Sequence, residues 1–470
     1  MVSFSGSNVW SWILIFGILF ASLLVGNIIK RRVPFMKESL IPTSVLGGAV
    51  LLIIAAVYKW VSGEIMFDTA IFENSGTEKL EIITYHALAI GFIASTFKST
   101  NKKLTKGRTT EIFNTGVTTV ATYLLQGVVG LVICFAATLF ISDFFVAAGV
   151  LLPFGYGQGT GQALNYGIIY EEAGFRGGAN FGLTIAALGF LSASLGGVVH
   201  LIIVKRRGKL VLSKRSDGSL HSEAIESQNE IPMTESIDKM TIQLAFIFVA
   251  YIISYGIIMG LSELLPGFSS VLYGFNFIIG VLVAIVMKLV LNLLLKKKII
   301  TRKYTNNFLM TRISNLAFDI MVVAGVAAIR LDKLESYWGV IVFMAVFGLI
   351  VTYIYNRIVA KKLFPDYSEE QFLMMYGMLT GTASTGTILL REIDDDFKTP
   401  ASDNMVYQNF PAMVLGFPIM FLATLAIDHP LLTLIILVVF FAVLNIVLFR
   451  SFIFKKRARV QKTEEIKKIK

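Results

Sequence analysis

The sequence predicts an all-α integral membrane protein built as an inverted-topology repeat: five spans plus one re-entrant hairpin in each half, with an extra C-terminal helix. Three observations predict it. Of the 470 residues, 55% are hydrophobic and 16% charged, against about 25% charged in a soluble domain. Eleven apolar runs are long enough to cross a bilayer. Two further apolar stretches, one in each half, are broken by glycine- and hydroxyl-rich motifs.

A spanning helix needs about 20 apolar residues to cross about 30 Å of hydrocarbon. Such runs lie at 9–29, 39–58, 82–97, 112–141, 179–204, 240–262, 271–295, 308–329, 337–356, 404–427 and 431–454. The 112–141 run is long enough to tilt or to carry an interfacial turn. Asp428-His429-Pro430 separates the last two, and Pro430 suits the first position of a helix. The first run starts near Val9 with no Lys or Arg before it, and its basic flank, Lys30-Arg31-Arg32, follows it. A cleavable signal peptide needs the reverse order, so none is expected.

The broken stretches are 144–170, interrupted at Pro153–Gly161, and 371–390, interrupted at Thr380–Thr387. About ten residues remain on either side of each break, enough at about 1.5 Å per residue for half a membrane. Non-helical backbone at membrane depth survives only inside protein or beside a watery cavity. Both stretches therefore read as hairpins that enter and leave on one side.

Charge supports this reading. With the N-terminus outside and each hairpin crossing zero times, the inside segments hold Lys30–Arg32, Lys98–Arg108, the 205–239 loop, Lys296–Lys303, Arg357–Lys362 and the Lys455–Lys470 tail. The outside segments hold only Lys59, Lys79, Arg176, Arg330 and Lys333, among many acids. Making either hairpin a full span would invert every later loop against the positive-inside bias. The net charge of +11 therefore marks a cytoplasmic membrane face, and no nucleic-acid partner is expected. The halves fall at 1–204 and 240–430, joined by a cytoplasmic linker at 205–239 and followed by the helix and basic tail at 431–470. Inverted halves with broken helices are a transporter pattern, with the substrate site near the midplane.

The remaining composition excludes other chemistry. Cys134 is the only cysteine, so no intrachain disulfide or cysteine metal site exists. His86, His200, His221 and His429 stand singly, without an i, i+4 metal pair. No organic cofactor is expected, and no nucleotide motif points to ATP as the energy source. A membrane enzyme would need converging acid–base or metal ligands, and a channel would need filter-type motifs.

Candidate site residues come from the two breaks and one mid-span acid. Alternating glycines in Gly155–Gly161 predict an extended stretch with accessible N–H and C=O groups, followed by a half-helix from Ala163 to Tyr170. The positive end of that half-helix favours a carboxylate, making Gly157, Gln158, Gly159, Thr160 and Gly161 substrate candidates. Thr380–Thr387 offers four Thr hydroxyls and one Ser hydroxyl, hard donors for Na⁺ or for a substrate carboxylate. Thr382, Ser384 and Thr385 are assigned to substrate, and Thr380 and Thr387 to Na⁺ as coupling ion. Asp319 lies mid-span with Asn315 one turn before it; a membrane carboxylate is costly without a partner, so both are Na⁺ candidates, with Asp319 alternatively a proton carrier, a partner for a substrate ammonium group or a structural hydrogen-bond acceptor. Lys288 and Arg312 can snorkel to the surface, Arg391 ends the second hairpin as an interfacial anchor, and Asn114 and Gln126 are weaker candidates.

The chain resembles the bacterial glutamate:sodium symporters. Ile41-Pro42, Gly47-Gly48, Gly157–Gly161, Tyr170-Glu171-Glu172-Ala173-Gly174-Phe175, Ser314-Asn315, Gly381–Thr385 and Pro411 carry the resemblance in order along most of the sequence. It implies a ten-span core with two re-entrant hairpins, a homodimer, a bacterial plasma-membrane location, and Na⁺-coupled uptake of a small anionic amino acid by an elevator-type motion. Carriage of another small organic anion, coupled to Na⁺ or H⁺, is the alternative.

Overall fold

The computed structural model describes residues 6–34, 36, 40–98, 106–206, 230–231, 237–266, 269–334, 337–394 and 399–452. Most of the 205–239 linker and the tail beyond 452 lie outside the described residues. The first half contains α1 (Ser7–Arg32), α2 (Thr43–Ser62), α3 (Gly76–Phe97), α4 (Lys106–Ala137), α5 (Thr160–Glu172) and α6 (Gly178–Arg206). The second contains α7 (Lys239–Leu264), α8 (Asn276–Lys296), α9 (Asn307–Ala327), α10 (Trp338–Leu363), α11 (Ser368–Thr380) and α12 (Ala383–Arg391). Then come α13 (Ala401–Tyr407), α14 (Asn409–Asp428) and α15 (Pro430–Leu448). Among the described residues, 11 helices are long and apolar enough to cross a membrane. The only β feature there is an isolated bridge between Glu230 and Lys303.

Local chemistry sets the helix ends. Asp238 caps α7 by accepting from Met240 N, and Asn306 caps α9 by accepting from Leu309 N. Gly63 closes α2 in the left-handed conformation, φ 78°. Pro430 opens α15 as expected. The 404–427 run, expected as one span, is two helices that turn at Gln408. In a continuous helix the Pro411 ring would meet the carbonyl four residues back, which belongs to Tyr407, so the chain bends there.

Burial sorts the helices into an inner and an outer set. The apolar stretches of α3, α4 and α9 are 56%, 56% and 61% buried, whereas those of α1, α7, α14 and α15 are 22% buried. Outer faces carry Ile, Leu, Val and Phe exposed to the surroundings, as lipid contact requires. Small residues let the inner helices approach. Gly91 of α3 faces the Phe318 ring of α9, and Gly48 of α2 faces Val326 of α9. The helix at 431–454 is no loose appendage: Leu437 packs beside Gly127 of α4, and Asn445 accepts from Tyr355 of α10 at 3.0 Å.

Several basic residues of the expected outside face are paired. Lys59 Nζ meets Asp332 Oδ2 at 2.8 Å, Arg330 reaches both Asp332 and Asp68, and Lys79 bonds Glu73. Burial raises the Asp332 pKa, but hydrogen bonds from Lys59 and Arg330 outweigh it and hold the carboxyl at about 2. Those cations are thus neutralised locally.

Candidate substrate and ion site

Each broken stretch is a pair of helical arms around a short break. In the first, a 3₁₀ turn at Val146–Val150 leads through Leu151–Pro153 into a π turn at Phe154–Gln158. Gly159 then turns the chain with φ 80° and ψ −170°, and α5 begins at Thr160. The expected extended stretch is therefore helical up to Gln158, and the half-helix starts three residues earlier than Ala163. A π turn widens the helix enough to satisfy backbone groups internally, so one glycine suffices as the break. Close packing explains its neighbours: the Tyr123 ring covers Gly157, and Tyr123 Oη donates to the Gly157 carbonyl at 3.0 Å.

In the second stretch, α11 ends at Thr380, Gly381 and Thr382 form the break, and α12 begins at Ala383. The arms fold back on each other, with Gly377 of α11 against Gly386 of α12. Thr385 and Thr387, expected within the break, are helical in α12. Short-range amide bonding explains this: Gly386 N donates to the Thr382 carbonyl at 3.0 Å, which starts the helix immediately.

The two breaks face each other. A methyl group placed on Gly159 would lie 3.4 Å from Thr382 Cγ2, 3.6 Å from Met321 Cε and 4.0 Å from the Gly381 carbonyl. Thr160 Oγ1 donates to the Met321 carbonyl at 3.2 Å, fixing α5 on α9. Gly189 of α6 sits beside both Tyr156 and the Thr380 carbonyl, so α6 holds the two stretches in register. Neither α5 nor α12 has a side-chain cap at its N-terminus. Two sets of first-turn N–H groups, each with the positive end of a helix dipole, therefore open beside Gly159 and Thr382. Such a cradle suits carboxylates. Gln158 is the only partly exposed residue between 151 and 167.

The other candidates stand apart. Thr382 and Thr385 hydroxyls are 3.4 Å apart within the second stretch. Ser384 lies in the first turn of α12, and its side chain lies outside the described residues. Thr380 Oγ1 donates to its own helix at Tyr376, and Thr387 Oγ1 to Ala383. Asp319 has Ser44 of α2 as its hydrogen-bonding neighbour, and Asn315, one turn earlier, is exposed. At 100° per residue these two lie on a different face of α9 from Met321. Among the described residues no hydrogen bond links any of Asn315, Asp319, Thr380 and Thr387 to another.

Comparison with known families decides the class. Residues 12–371 match the family model described as sodium/glutamate symporter. The chain belongs to the sodium/glutamate symporter family. No curated protein matches it. The match takes in the Gly159 break and α9 and ends in the first turn of α11. The symporter thus couples Na⁺ to glutamate transport across a membrane, and its family is one of transporters rather than enzymes.

The structure of this symporter also exposes polar residues that sequence reasoning ranked low or missed. Gln126 of α4 donates through Nε2 to Thr352 Oγ1 and to the Leu379 carbonyl, both at 2.9 Å. Asn356 of α10 reaches Thr122 Oγ1 at 3.4 Å. Thr352 and Asn356 are an i, i+4 pair on α10, a spacing that was readable as one polar face. At the base of α11, Glu369 accepts from His200 at 2.8 Å and from Arg357 at 2.5 Å. That cluster anchors the second stretch to α6 and α10.

Proposed function

We propose that the two broken stretches are re-entrant hairpins of inverted halves, and that glutamate binds where their tips meet. The facing of Gly159 and Thr382 carries this reading. Glutamate has two carboxylates, and two uncapped helix N-termini open at one place. Gly157, Gln158, Gly159, Thr160 and Gly161 form one side of the cradle, and Thr382, Ser384 and Thr385 the other. Asn315, Asp319, Thr380 and Thr387 supply oxygen donors for Na⁺ on the flanks of the site. The halves are 1–204 and 240–430, and the protein works as a homodimer in a bacterial plasma membrane. Transport is an elevator-type movement of the hairpins with α3, α4, α6 and α9, the most buried helices.

Purified protein in liposomes takes up labelled glutamate when Na⁺ is imposed outside and not when choline replaces it. Uptake of another small anion that glutamate does not compete would move the substrate assignment. Orientation has its own test. In a background with buried Cys134 replaced by Ala, a cysteine at Asn74 reacts with an impermeant thiol reagent added to intact cells. A cysteine at Thr301 does not. Equal labelling of both would remove the arrangement with the N-terminus outside and the basic loops inside.

A further inference from the structure

Between Glu263 and Asp319 the sequence contains no acidic residue, yet it holds Lys296, Lys297, Lys298, Arg302, Lys303 and Arg312. Elsewhere Lys59, Lys79, Arg108, Lys239, Arg330 and Arg357 each lie against a carboxylate. Lys296, Lys297 and Lys298, at the end of α8, are all exposed, and among the described residues no acid pairs with them.

The three lysines sit on a fixed turn. Lys298 N donates to the Leu295 carbonyl at 3.1 Å and Ile299 N to the Leu294 carbonyl at 3.0 Å, the paired bonds that close a helix C-terminus. Lys298 itself is left-handed, with φ 57°, where glycine is the usual residue. The negative end of α8 accounts for cations in its last turn. It gives no reason to keep a lysine where glycine fits better.

An apolar stripe leads to this turn. Leu282, Val286, Leu289 and Leu293 lie on one face of α8 and are 54%, 59%, 57% and 55% exposed. Lys296 and Lys297 continue that face at i+3 and i+4 from Leu293. Lys288 points away from it and donates to the Thr96 carbonyl of α3 at 3.1 Å. From Val286 to Lys296 the rise is about 15 Å at about 1.5 Å per residue, one leaflet of a hydrocarbon core about 30 Å thick. Ile299, 65% exposed, adds apolar surface beside the lysines.

We propose that the end of α8 is a docking site for an anionic phospholipid. Its phosphate sits among Lys296, Lys297 and Lys298, and an acyl chain lies along Val286, Leu289 and Leu293. A neutral lipid would cover the stripe equally well, but it would bring no net charge to the lysines. The lysine cluster therefore selects the headgroup, each lysine near an anionic lipid surface adding about fivefold to binding. This site needs neither the glutamate cradle nor a particular side of the membrane.

The test follows the thermal midpoint of the purified full-length protein in a neutral detergent. Phosphatidylglycerol, phosphatidylcholine and soluble glycerol phosphate are titrated separately. Phosphatidylglycerol raises the midpoint at a half-saturating concentration at least about tenfold below that of phosphatidylcholine, and glycerol phosphate leaves the midpoint unchanged. Lys298→Gly weakens phosphatidylglycerol about fivefold, while its midpoint without lipid equals or exceeds that of the wild type because glycine suits the left-handed position. Combining it with Lys296→Gln and Lys297→Gln abolishes the preference. Lys361→Gln with Lys362→Gln, which removes two exposed charges at the end of α10, keeps it. Equal half-saturation by the two lipids in the wild type would overturn the proposal, as would an undiminished preference in the triple variant. Stabilisation by glycerol phosphate that the triple variant loses would make this a site for soluble anions instead. Disulfide-linked pairs formed by a cysteine at Leu289, with Cys134 replaced by Ala, would show that a second copy covers the stripe and would likewise overturn it.

Discussion

Gly159→Val abolishes sodium-driven uptake while the protein still inserts, folds and purifies as the wild type does. The reason is backbone geometry rather than crowding. Gly159 sits at φ 80° and ψ −170°, a region essentially confined to glycine. An added methyl group meets nothing closer than 3.4 Å, so space is ordinary. Forcing a side chain into that conformation costs about 1–3 kcal/mol. The chain relieves that strain by moving the break, and the break is where the two broken stretches face each other. A shift of about 1.4 kcal/mol already changes the competent population tenfold. Gly159→Ala therefore loses about tenfold or more in uptake rate, and Val, which is β-branched, loses more. Labelled glutamate uptake per milligram of reconstituted protein reads this directly. Wild-type uptake by either variant would mean that the break does not need its glycine conformation.

Gly149→Val has a different outcome: the fold itself is destabilised. The Cβ of residue 149 would land on the backbone of Gly130 and Leu131, and a Cβ at 130 would land on the Gly149 carbonyl. Backbone atoms in packed helices do not move aside as a flexible side chain does. Overpacking of side chains alone costs about 1–3 kcal/mol, and this site has no soft neighbour to absorb it. Gly130→Val and Gly149→Val each lower the thermal midpoint by several degrees or prevent monodisperse purification. Gly256→Ala and Gly260→Ala on α7 are the controls, since nothing lies within 4 Å of their added methyl groups. Those two purify normally. Normal melting of Gly149→Val would contradict the contact between α4 and the 146–150 turn.

Much of the architecture was readable because the bilayer imposes one strong rule on composition. Every long apolar run became helical, although those at 271–295 and 404–427 are each divided between two helices, and most ends fell within a few residues of expectation. The run at 404–427 failed as a single span because periodicity and hydropathy do not register where Pro411 meets a preceding carbonyl. The breaks were found at Gly159 and Gly381–Thr382, yet drawn too wide. Composition marks glycine-rich chain as irregular, whereas a π turn lets most of Gly155–Gly161 stay helical. Hydroxyl counting also could not tell which ion candidates already donate within their own helices. Thr380 and Thr387 satisfy their donors within their own helices, and no sequence pattern distinguishes that from a free hydroxyl.

The sequence by itself determined the class, because 11 apolar helices, two interrupted apolar stretches and a charge bias are one-dimensional signals. It also carried the family, since the motifs occur in order along the chain and the family match covers residues 12–371. Tertiary structure alone decided which side chains meet. Gly159 and Thr382 are more than two hundred positions apart, and only α6 and α9 bring them together. Asp319 was an ion candidate as a mid-span acid, and α9 brings it beside Ser44 of α2. Gln126 looked weak, yet the crossing of α4 and α10 sets its amide between Thr352 and the Leu379 carbonyl. Burial sets the energetic cost of a polar group, and burial depends on neighbours from the other half of the chain, which hydropathy along one segment cannot register.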